Sequence, residues 1–324
     1  MSRRRAVCAA AAVAFGLLAS STALAAYPDK PVTIVVPGPA GGSGDITTRI
    51  VAKELSELWH QSVIVENKPG AGGIIGAQAA LTAAHDGYTL LMGNTGPNAI
   101  NYSLYTKLPY APSDMVAVMD VLVFPNVLIV KADSPIKSVA DLVAASKRAP
   151  NGLSFASSGV GQTTHLSGEL FKLKTGANVT HVPYKGANLG MQSVMAGDTD
   201  FMFDNYPTSE AQLRGGKVRA LALTSAARIA QAPEIPTMAE AGFPGMEITG
   251  WFGLFVATGT PQDRVDAIYN AIAAVLAKPE VIERFRQLGG RPGTSTPAQF
   301  EAFVASEREQ WGKAVTASGA RETL

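Results

Sequence analysis

The feature that most constrains this chain is an alternation of strand, glycine-rich loop and helix that occurs twice. In the first instance the β-branched run Val32 to Val36 predicts a buried strand. A loop with four glycines and two prolines follows from Pro37 to Gly44, and Asp45 is suited to cap a helix that runs to about Leu58. Such an alternation is typical of an α/β domain with a mostly parallel sheet.

The second instance lies near the middle of the chain. Leu153 to Ala156 predicts a strand, and Ser157 to Gly161 is a loop of Ser and Gly. Thr163 or Thr164 is suited to cap a helix that runs to about Leu173. Because 324 residues correspond to about two domains, the repeated plan predicts two lobes. The 47% apolar content is enough for two cores and excludes a disordered chain.

The other predicted elements continue the alternation. Two apolar runs between Val121 and Val130 are broken at Pro125 and Asn126. Strands are also predicted at 63–65, 88–92, 179–182, 201–203, 219–223 and 251–257, and helices at 74–84, 139–147, 189–196, 261–276, 279–288 and 297–315.

The N-terminus has the pattern of a secretory signal peptide. Three arginines at 3–5 precede the apolar run Ala6 to Leu18, and Ala23 to Ala25 supplies small residues for cleavage before Ala26. We therefore expect a soluble, exported, periplasmic protein. Cleavage removes the single cysteine, Cys8, and leaves 24 basic against 26 acidic residues (27 − 3 against 26). That balance, without a basic stripe, argues against nucleic-acid binding.

Both loops suit anion binding, and we call Pro37 to Asp45 the first loop and Ser157 to Thr164 the second loop. Glycine brings backbone N–H groups close to a ligand, and the helix N-terminus that follows favours negative charge. The alternative is that each loop only turns the chain into an ordinary helix start. From the pattern alone both interpretations stay open.

Signals of an enzyme are weaker. Gly42, Gly44 and Thr47 approach a dinucleotide-binding fingerprint, but its third glycine is missing. Ser43 lacks the later glycine of a nucleophile elbow. The four histidines are scattered without metal-binding spacing. A periplasmic hydrolase remains the alternative, and a buried Ser–His pair in the cleft would favour it.

Nine segments together resemble one known family, the Bug-type receptors of tripartite tricarboxylate transport systems. They span the chain after the predicted cleavage site and read YPDKPVTIVVPGPAGGSGDI, VIVENKPGAGGIIGA, DGYTLLMGN, LSFASSGVGQTTHLSGELF, HVPYKGA, FMFDN, KVRALALTSAAR, PEIPTMAEAGFPG and WFGLFVATGTP. The resemblance implies a two-lobed periplasmic-binding-protein fold (type II-like), each lobe a mostly parallel sheet flanked by helices, joined by crossing strands. It also implies no catalytic residue, no metal and no cofactor.

The resemblance implies that the two loops grip a ligand carboxylate from both sides, partly through ordered water. Carried onto this sequence, the ligand-binding residues are Ala40, Gly41, Gly42, Ser43, Asp45, Asn94, Thr95, Ser157, Ser158, Gly159, Thr163, Thr164, Tyr184, Asp204 and Asn205. Neither loop contains Arg or Lys, so we expect neutral donors to hold the anion. The expected lobes are 26–126 with 227–324, and 127–226, after a signal peptide at 1–25.

The resemblance also implies the partners. They are a small carboxylate (a di- or tricarboxylate, an acidic amino acid, or an aromatic or pyridine carboxylate) and the subunits of a membrane permease. We expect a monomer, and a ligand-sensing subunit of a signalling system is a further alternative. Gly38 departs from the family, where many members carry Phe in a PFPAGG pattern. We expect the lost aromatic wall to change the size of the pocket.

Overall fold

A mixed β-sheet forms the frame of the molecule in a computed structural model that describes residues 27–318. The predicted signal peptide lies outside the described residues. The strands are β1 (Val32–Val36), β2 (Val63–Asn67), β3 (Thr89–Asn94), β4 (Met115–Lys131), β5 (Leu153–Ser157), β6 (Val179–Pro183), β7 (Phe201–Asn205), β8 (Val218–Leu223), β9 (Thr249–Ala257) and β10 (Arg291–Pro292).

Helices flank this sheet. They are α1 (Ser43–Trp59), α2 (Ile74–Leu81), α3 (Asn101–Leu104), α4 (Val139–Arg148), α5 (Thr163–Thr175), α6 (Ala187–Ala196), α7 (Tyr206–Arg214), α8 (Gln262–Leu276), α9 (Pro279–Gln287) and α10 (Pro297–Ser318). Short 3-10 turns lie at Ala71–Gly73 and Pro112–Asp114, and a π-helical turn at Gly96–Ile100 leads into α3. Among the described residues, no helix combines the length and apolarity needed to cross a membrane.

The sheet has two halves, and the outer strands of each half are parallel. The strand order is β2-β1-β3-β9-β4-β7-β5-β6, with β8 and β10 also paired to β4. β1 is parallel to β2 and β3, and β5 is parallel to β6 and β7. β4 and β9 pair antiparallel with their neighbours. The sheet is therefore parallel away from the middle and antiparallel where the chain crosses between halves.

The two apolar runs between Val121 and Val130 belong to one continuous strand, β4. Its first part pairs with β9 as far as Pro125, and its second part pairs with β7 and β8 from Asn126 and Val127 onward. Proline lacks an N–H group and disrupts a strand that has one set of partners throughout. Here Pro125 lies where the strand exchanges partners, so the backbone continues.

Each half has its own hydrophobic packing. Ile34, Leu90 and Leu254 are buried in the first half, and Phe155 and Phe201 in the second half. The segment 227–246, expected in the first lobe, packs with Ala232, Ile235, Met238 and Met246 against the second half. We therefore propose that the lobes meet at Asn126 and at Ile248, where the chain returns to β9.

Several elements were absent from the predictions, among them helix α7 and the turn Gly96–Ile100. Helix α7 begins directly after β7, with Pro207 in its first turn, a position that proline suits because the missing N–H group has no partner there. The turn Gly96–Ile100 is buried throughout. Its pattern lacks the polar face that marks a helix by periodicity, so sequence reasoning passed over it.

Candidate functional site

A cavity of about 660 Å³ lies between the two halves of the molecule. The first loop, Gly72 and the end of β3 line one side of it, and the second loop, Tyr184, Lys185 and Asn205 line the other. Phe124, Trp251 and Phe252 lie where the crossing strands pass, and the rings of Phe124 and Phe252 stack with centroids 4.9 Å apart. The site therefore combines polar loops with an aromatic wall beside the crossing strands.

The first loop presents an open helix start to the cavity. Helix α1 begins at Ser43 after Gly42, and no side chain caps its first N–H groups. Asp45 was predicted as the cap, but its carboxylate reaches back and accepts a hydrogen bond of 2.9 Å from the Gly41 N–H. Arg49 Nη2 lies 2.9 Å from the other carboxylate oxygen of Asp45. Asp45 thus stabilises the loop, while the N–H groups of the first turn stay available to a ligand.

The charge of Asp45 is compensated inside its own helix. Burial raises the pKa of Asp45, but the hydrogen bonds from the Arg49 guanidinium and the Gly41 N–H outweigh burial and hold it below its usual range. Asp45 is therefore ionised at neutral pH and paired with Arg49. It adds little net negative charge to the cavity.

Two hydroxyl groups outside the cavity lining accept hydrogen bonds from the backbone of the second loop. Thr164 Oγ1 accepts a hydrogen bond of 3.0 Å from the Ser158 N–H, and Ser157 Oγ accepts one of 3.1 Å from the Gly159 N–H. Helix α5 begins after Gln162 without a side-chain cap, so neither Thr163 nor Thr164 has the predicted capping role. As in α1, the first N–H groups of α5 have no side-chain partner.

Thr95 supplies a polar group without a partner at the end of β3. It is 2% exposed, it lines the cavity, and its hydroxyl has no hydrogen-bond partner among the described residues. The neighbouring Asn94 accepts a hydrogen bond of 2.9 Å from the Gly96 N–H and so shapes the turn. A buried hydroxyl without a partner costs free energy, so a bound molecule or water that pairs with it is favoured.

Asn205 connects the two halves across the cavity. Its Nδ2 donates a hydrogen bond of 2.8 Å to Ser43 Oγ, and its Oδ1 accepts one of 3.3 Å from Thr163 Oγ1. Tyr184 also lines the cavity, but its hydroxyl donates away from it to Ser193 Oγ at 2.8 Å. The Tyr184 ring is therefore the part of that side chain available to a ligand.

The preceding residue, Asp204, lies behind the cavity wall. Its side chain is fully buried and accepts a hydrogen bond of 2.8 Å from Ser209 Oγ. Burial raises the pKa of Asp204 to about 7, although the hydrogen bonds from Ser209 and the Asn205 N–H act in the opposite direction. This geometry favours a structural role in the start of α7 over contact with a ligand.

The structure brings together ten of the fifteen residues expected to bind a ligand. Those that line the cavity are Gly42, Ser43, Asp45, Asn94, Thr95, Ser158, Gly159, Thr163, Tyr184 and Asn205. Those outside its lining are Ala40, Gly41, Ser157, Thr164 and Asp204. The side chains of Ser157, Thr164 and Asp204 are buried in contacts that hold the lining residues in place.

Sequence reasoning missed several lining residues. Lys185 lies in the HVPYKGA segment, and its positive charge beside Tyr184 is the sequence signal that marks it. Phe252 and Phe124 come from crossing strands whose approach to the loops is set by tertiary structure. Gly38 borders open space, since a Cβ atom placed there meets no atom within 4 Å.

A Ser–His pair is present, but it lies beneath the second loop. His181 Nε2 is 2.7 Å from Ser157 Oγ, and the His181 ring stacks on His165 at 4.0 Å. Burial lowers the pKa of His165 to about 4, and burial together with His165 lowers the pKa of His181 to about 3. Neither histidine nor Ser157 lines the cavity. The two rings are therefore neutral near pH 7 and support the loop.

The profile of the tripartite tricarboxylate transporter family receptor matches residues 47–320. The chain belongs to this receptor family. It is 37% identical to the "UPF0065 protein in tcbD-tcbE intergenic region" of a Pseudomonas species, over 97% of this chain and 94% of that protein. It is 35% identical to the protein BugT of Bordetella pertussis, over 91% of each chain.

The solved structure described as periplasmic binding protein BugD superimposes with a TM-score of 0.87 at 33% identity, covering 92% of this chain and 100% of the other. The structure described as R. palustris Rpa4515 with adipate superimposes with a TM-score of 0.89 at 35% identity, covering 92% of this chain and 100% of the other. The expected family and the two-lobed fold are both confirmed. The protein is a solute-binding receptor, and its cavity lies between the lobes as in such receptors.

Proposed function

We propose that this receptor binds a small carboxylate between its lobes and delivers it to a membrane permease. The observation that carries the proposal is that two helix starts without side-chain caps, α1 and α5, meet the same cavity from opposite lobes. The N–H groups of an open helix start form hydrogen bonds with anions and favour their charge. A carboxylate placed between both starts completes hydrogen bonds that neither lobe completes by itself.

Thr95 supports the same function independently. Its buried hydroxyl needs a partner, and a carboxylate oxygen accepts hydrogen bonds from hydroxyl and N–H donors alike. The adipate in the Rpa4515 structure is also a carboxylate. By analogy with its family, the receptor acts in the periplasm as a monomer after removal of the signal peptide, and hands its ligand to the permease subunits.

We propose binding without turnover. The Ser157–His181 pair, which would favour a hydrolase if it faced the ligand, lies outside the cavity lining. The Ser157 hydroxyl is committed to the Gly159 N–H and to His181. Release of product from a bound carboxylate ester, followed by proton NMR, would contradict this part of the proposal.

The test is a pair of substitutions that each remove one buried hydroxyl without a partner. Thr95→Val removes it inside the cavity, and Thr47→Val removes it in α1 away from the lining. For the unaltered protein, a carboxylate at about 100 times its Kd raises stability by about 2.7 kcal/mol, which raises Tm by several degrees. We expect Thr95→Val to weaken that binding about tenfold, equivalent to 1.4 kcal/mol.

The Thr47→Val control tests whether the weaker binding comes from the loss of the hydroxyl inside the cavity. Thr47→Val should leave the ligand affinity unchanged, and neither variant should be less stable without ligand, because each loses an unsatisfied polar atom. Melting curves and calorimetry with succinate, adipate and benzoate, together with their amides, measure both effects. Equal stabilisation by acids and amides, or equal affinity in Thr95→Val and the unaltered protein, would contradict the proposal.

A further inference from the structure

The cavity lining contains one cation without an acidic partner. Of the lining residues, only Asp45 and Lys185 carry charge. Asp45 is paired with Arg49 at 2.9 Å. The ammonium group of Lys185 forms no hydrogen bond or ion pair with any residue that the structure describes. The cavity therefore has an uncompensated positive charge.

Lys185 is held at the edge of the cavity where the lobes touch. The Tyr184 N–H donates a hydrogen bond of 3.1 Å to the Ser157 carbonyl, which ties this segment to the second loop. Gly186 adopts φ +115°, and a Cβ atom there would lie 2.6 Å from Pro39 of the other lobe. Glycine is required for both reasons, the positive φ and the close approach. The backbone at Lys185 is thus held by the Tyr184 hydrogen bond on one side and by the close approach of Gly186 to the Pro39 ring on the other.

Lys185 and the neutral donors at the helix starts differ in their exposure to solvent. Ser43 and Thr163, at the two helix starts, are buried, whereas Lys185 is exposed. A carboxylate between the helix starts is held by N–H and hydroxyl donors. Lys185 belongs to the exposed part of the lining, so its charge is available to the part of the ligand nearest the solvent. A cavity of about 660 Å³ leaves room for a ligand that extends from one region to the other.

We propose that Lys185 binds a second anionic group of the ligand, so that the receptor selects molecules with two separated anionic groups over monoacids. This inference rests on the proposed carboxylate-receptor function. The first carboxylate is then held by neutral donors, as expected from the two loops. The second is held by its charge interaction with Lys185. Lys185 is exposed while the lobes touch, so its ion pair contributes at most about 1 kcal/mol and weakens as salt is raised.

The experiment compares diacids with their half-amides, which keep the shape and remove one charge. The probes are succinate, adipate and terephthalate, each with its half-amide, measured by calorimetry at low and high salt. For the unaltered receptor we expect the diacid to bind about fivefold tighter than its half-amide, a difference of about 1 kcal/mol. Lys185→Met should remove most of that difference by weakening the diacid about three- to fivefold while changing the half-amide less than about twofold.

Two further variants test whether the charge and the position of Lys185 account for the preference for the diacid. Lys185→Arg keeps the charge and should retain the preference for the diacid. Lys172→Met removes an exposed lysine of the same lobe outside the cavity and should change nothing. Diacid binding to the unaltered receptor should weaken as salt is raised, and this dependence should be smaller in Lys185→Met.

The other outcomes overturn either the role of Lys185 alone or both proposals. If diacid and half-amide bind equally well, or if Lys185→Met weakens both equally, the role of Lys185 is wrong and the carboxylate function stands. If no probe, acid or half-amide, raises the Tm of the unaltered receptor at millimolar concentration, both proposals are wrong for these ligands.

Discussion

The buried carboxyl group of Asp204 makes the stability of the folded protein depend on pH. Burial raises its pKa to about 7, against about 3.9 in an unfolded chain. The folded protein therefore keeps a proton that the unfolded chain releases between about pH 4 and pH 7. The stability from this group is fully present below about pH 4 and is lost as pH rises through 7.

Asp204→Asn tests this role with a neutral side chain of the same shape. From pH 5 to pH 8 the free energy of unfolding of the unaltered protein should fall by about 2 kcal/mol more than that of the variant. Denaturant unfolding at several pH values measures the difference. Asp198→Asn, at an exposed position, is the matched control and should follow the unaltered protein. A selective change in the affinity for amino-acid ligands would instead show that Asp204 contacts the ligand.

At the scale of elements, β4 and β9 connect the lobes, and Thr224 holds them where they cross. Thr224 Oγ1 accepts a hydrogen bond of 2.9 Å from the Asn126 N–H and donates one of 2.6 Å to the Ile248 carbonyl. The Thr224 N–H donates to the Asn126 carbonyl at 2.9 Å. One buried side chain thus joins three segments at the point where the chain passes between lobes.

Thr224→Val keeps the shape of this residue and removes the hydroxyl. The Asn126 N–H is then buried without its partner, so we expect a loss of about 1–3 kcal/mol in the free energy of unfolding. Thr224→Ser retains the hydroxyl and should lose less than half as much. Urea unfolding of both variants measures this, and equal losses would mean that the methyl group, rather than the hydrogen bonds, stabilises the crossing.

At the scale of the whole molecule, the lobes touch on both sides of the cavity. Gln162 Nε2 donates a hydrogen bond of 3.0 Å to the Gly72 carbonyl of the other lobe, and Asn205 donates to Ser43. Such bonds exist only when the lobes are closed, so they raise the population of the closed form. A ligand that touches both lobes selects the same form.

Gln162→Ala removes one of these bonds between the lobes. Without ligand, the variant should have a larger radius of gyration in small-angle X-ray scattering than the unaltered protein. Its affinity should fall about fivefold, because one hydrogen bond contributes about 1 kcal/mol and fewer molecules are closed. Saturating ligand should restore the compact form. Gln192→Ala, an exposed residue of α6, should behave as the unaltered protein; if Gln162→Ala also does so, the bond does not control closure.

The sequence by itself determined the repeated strand–loop–helix plan, the family and half of the cavity-lining residues in the two loops. These follow from local properties, since β-branched runs form strands and glycines permit the turns that precede α1 and α5. Only the tertiary structure decided which loop residues face the cavity. Ser157 and Thr164 have the same chemistry as Ser158 and Thr163, yet they turn inward to hold the backbone.

The tertiary structure also decided what lies beside the loops. Asn205 bonds to Ser43 across 162 residues of sequence, and Thr224 to Asn126 across 98. Lys185 and Phe252 enter the cavity because separate elements meet there. A local sequence pattern does not predict these contacts, because they depend on how the two lobes and their crossing strands pack together. That packing decides which side chains a ligand meets.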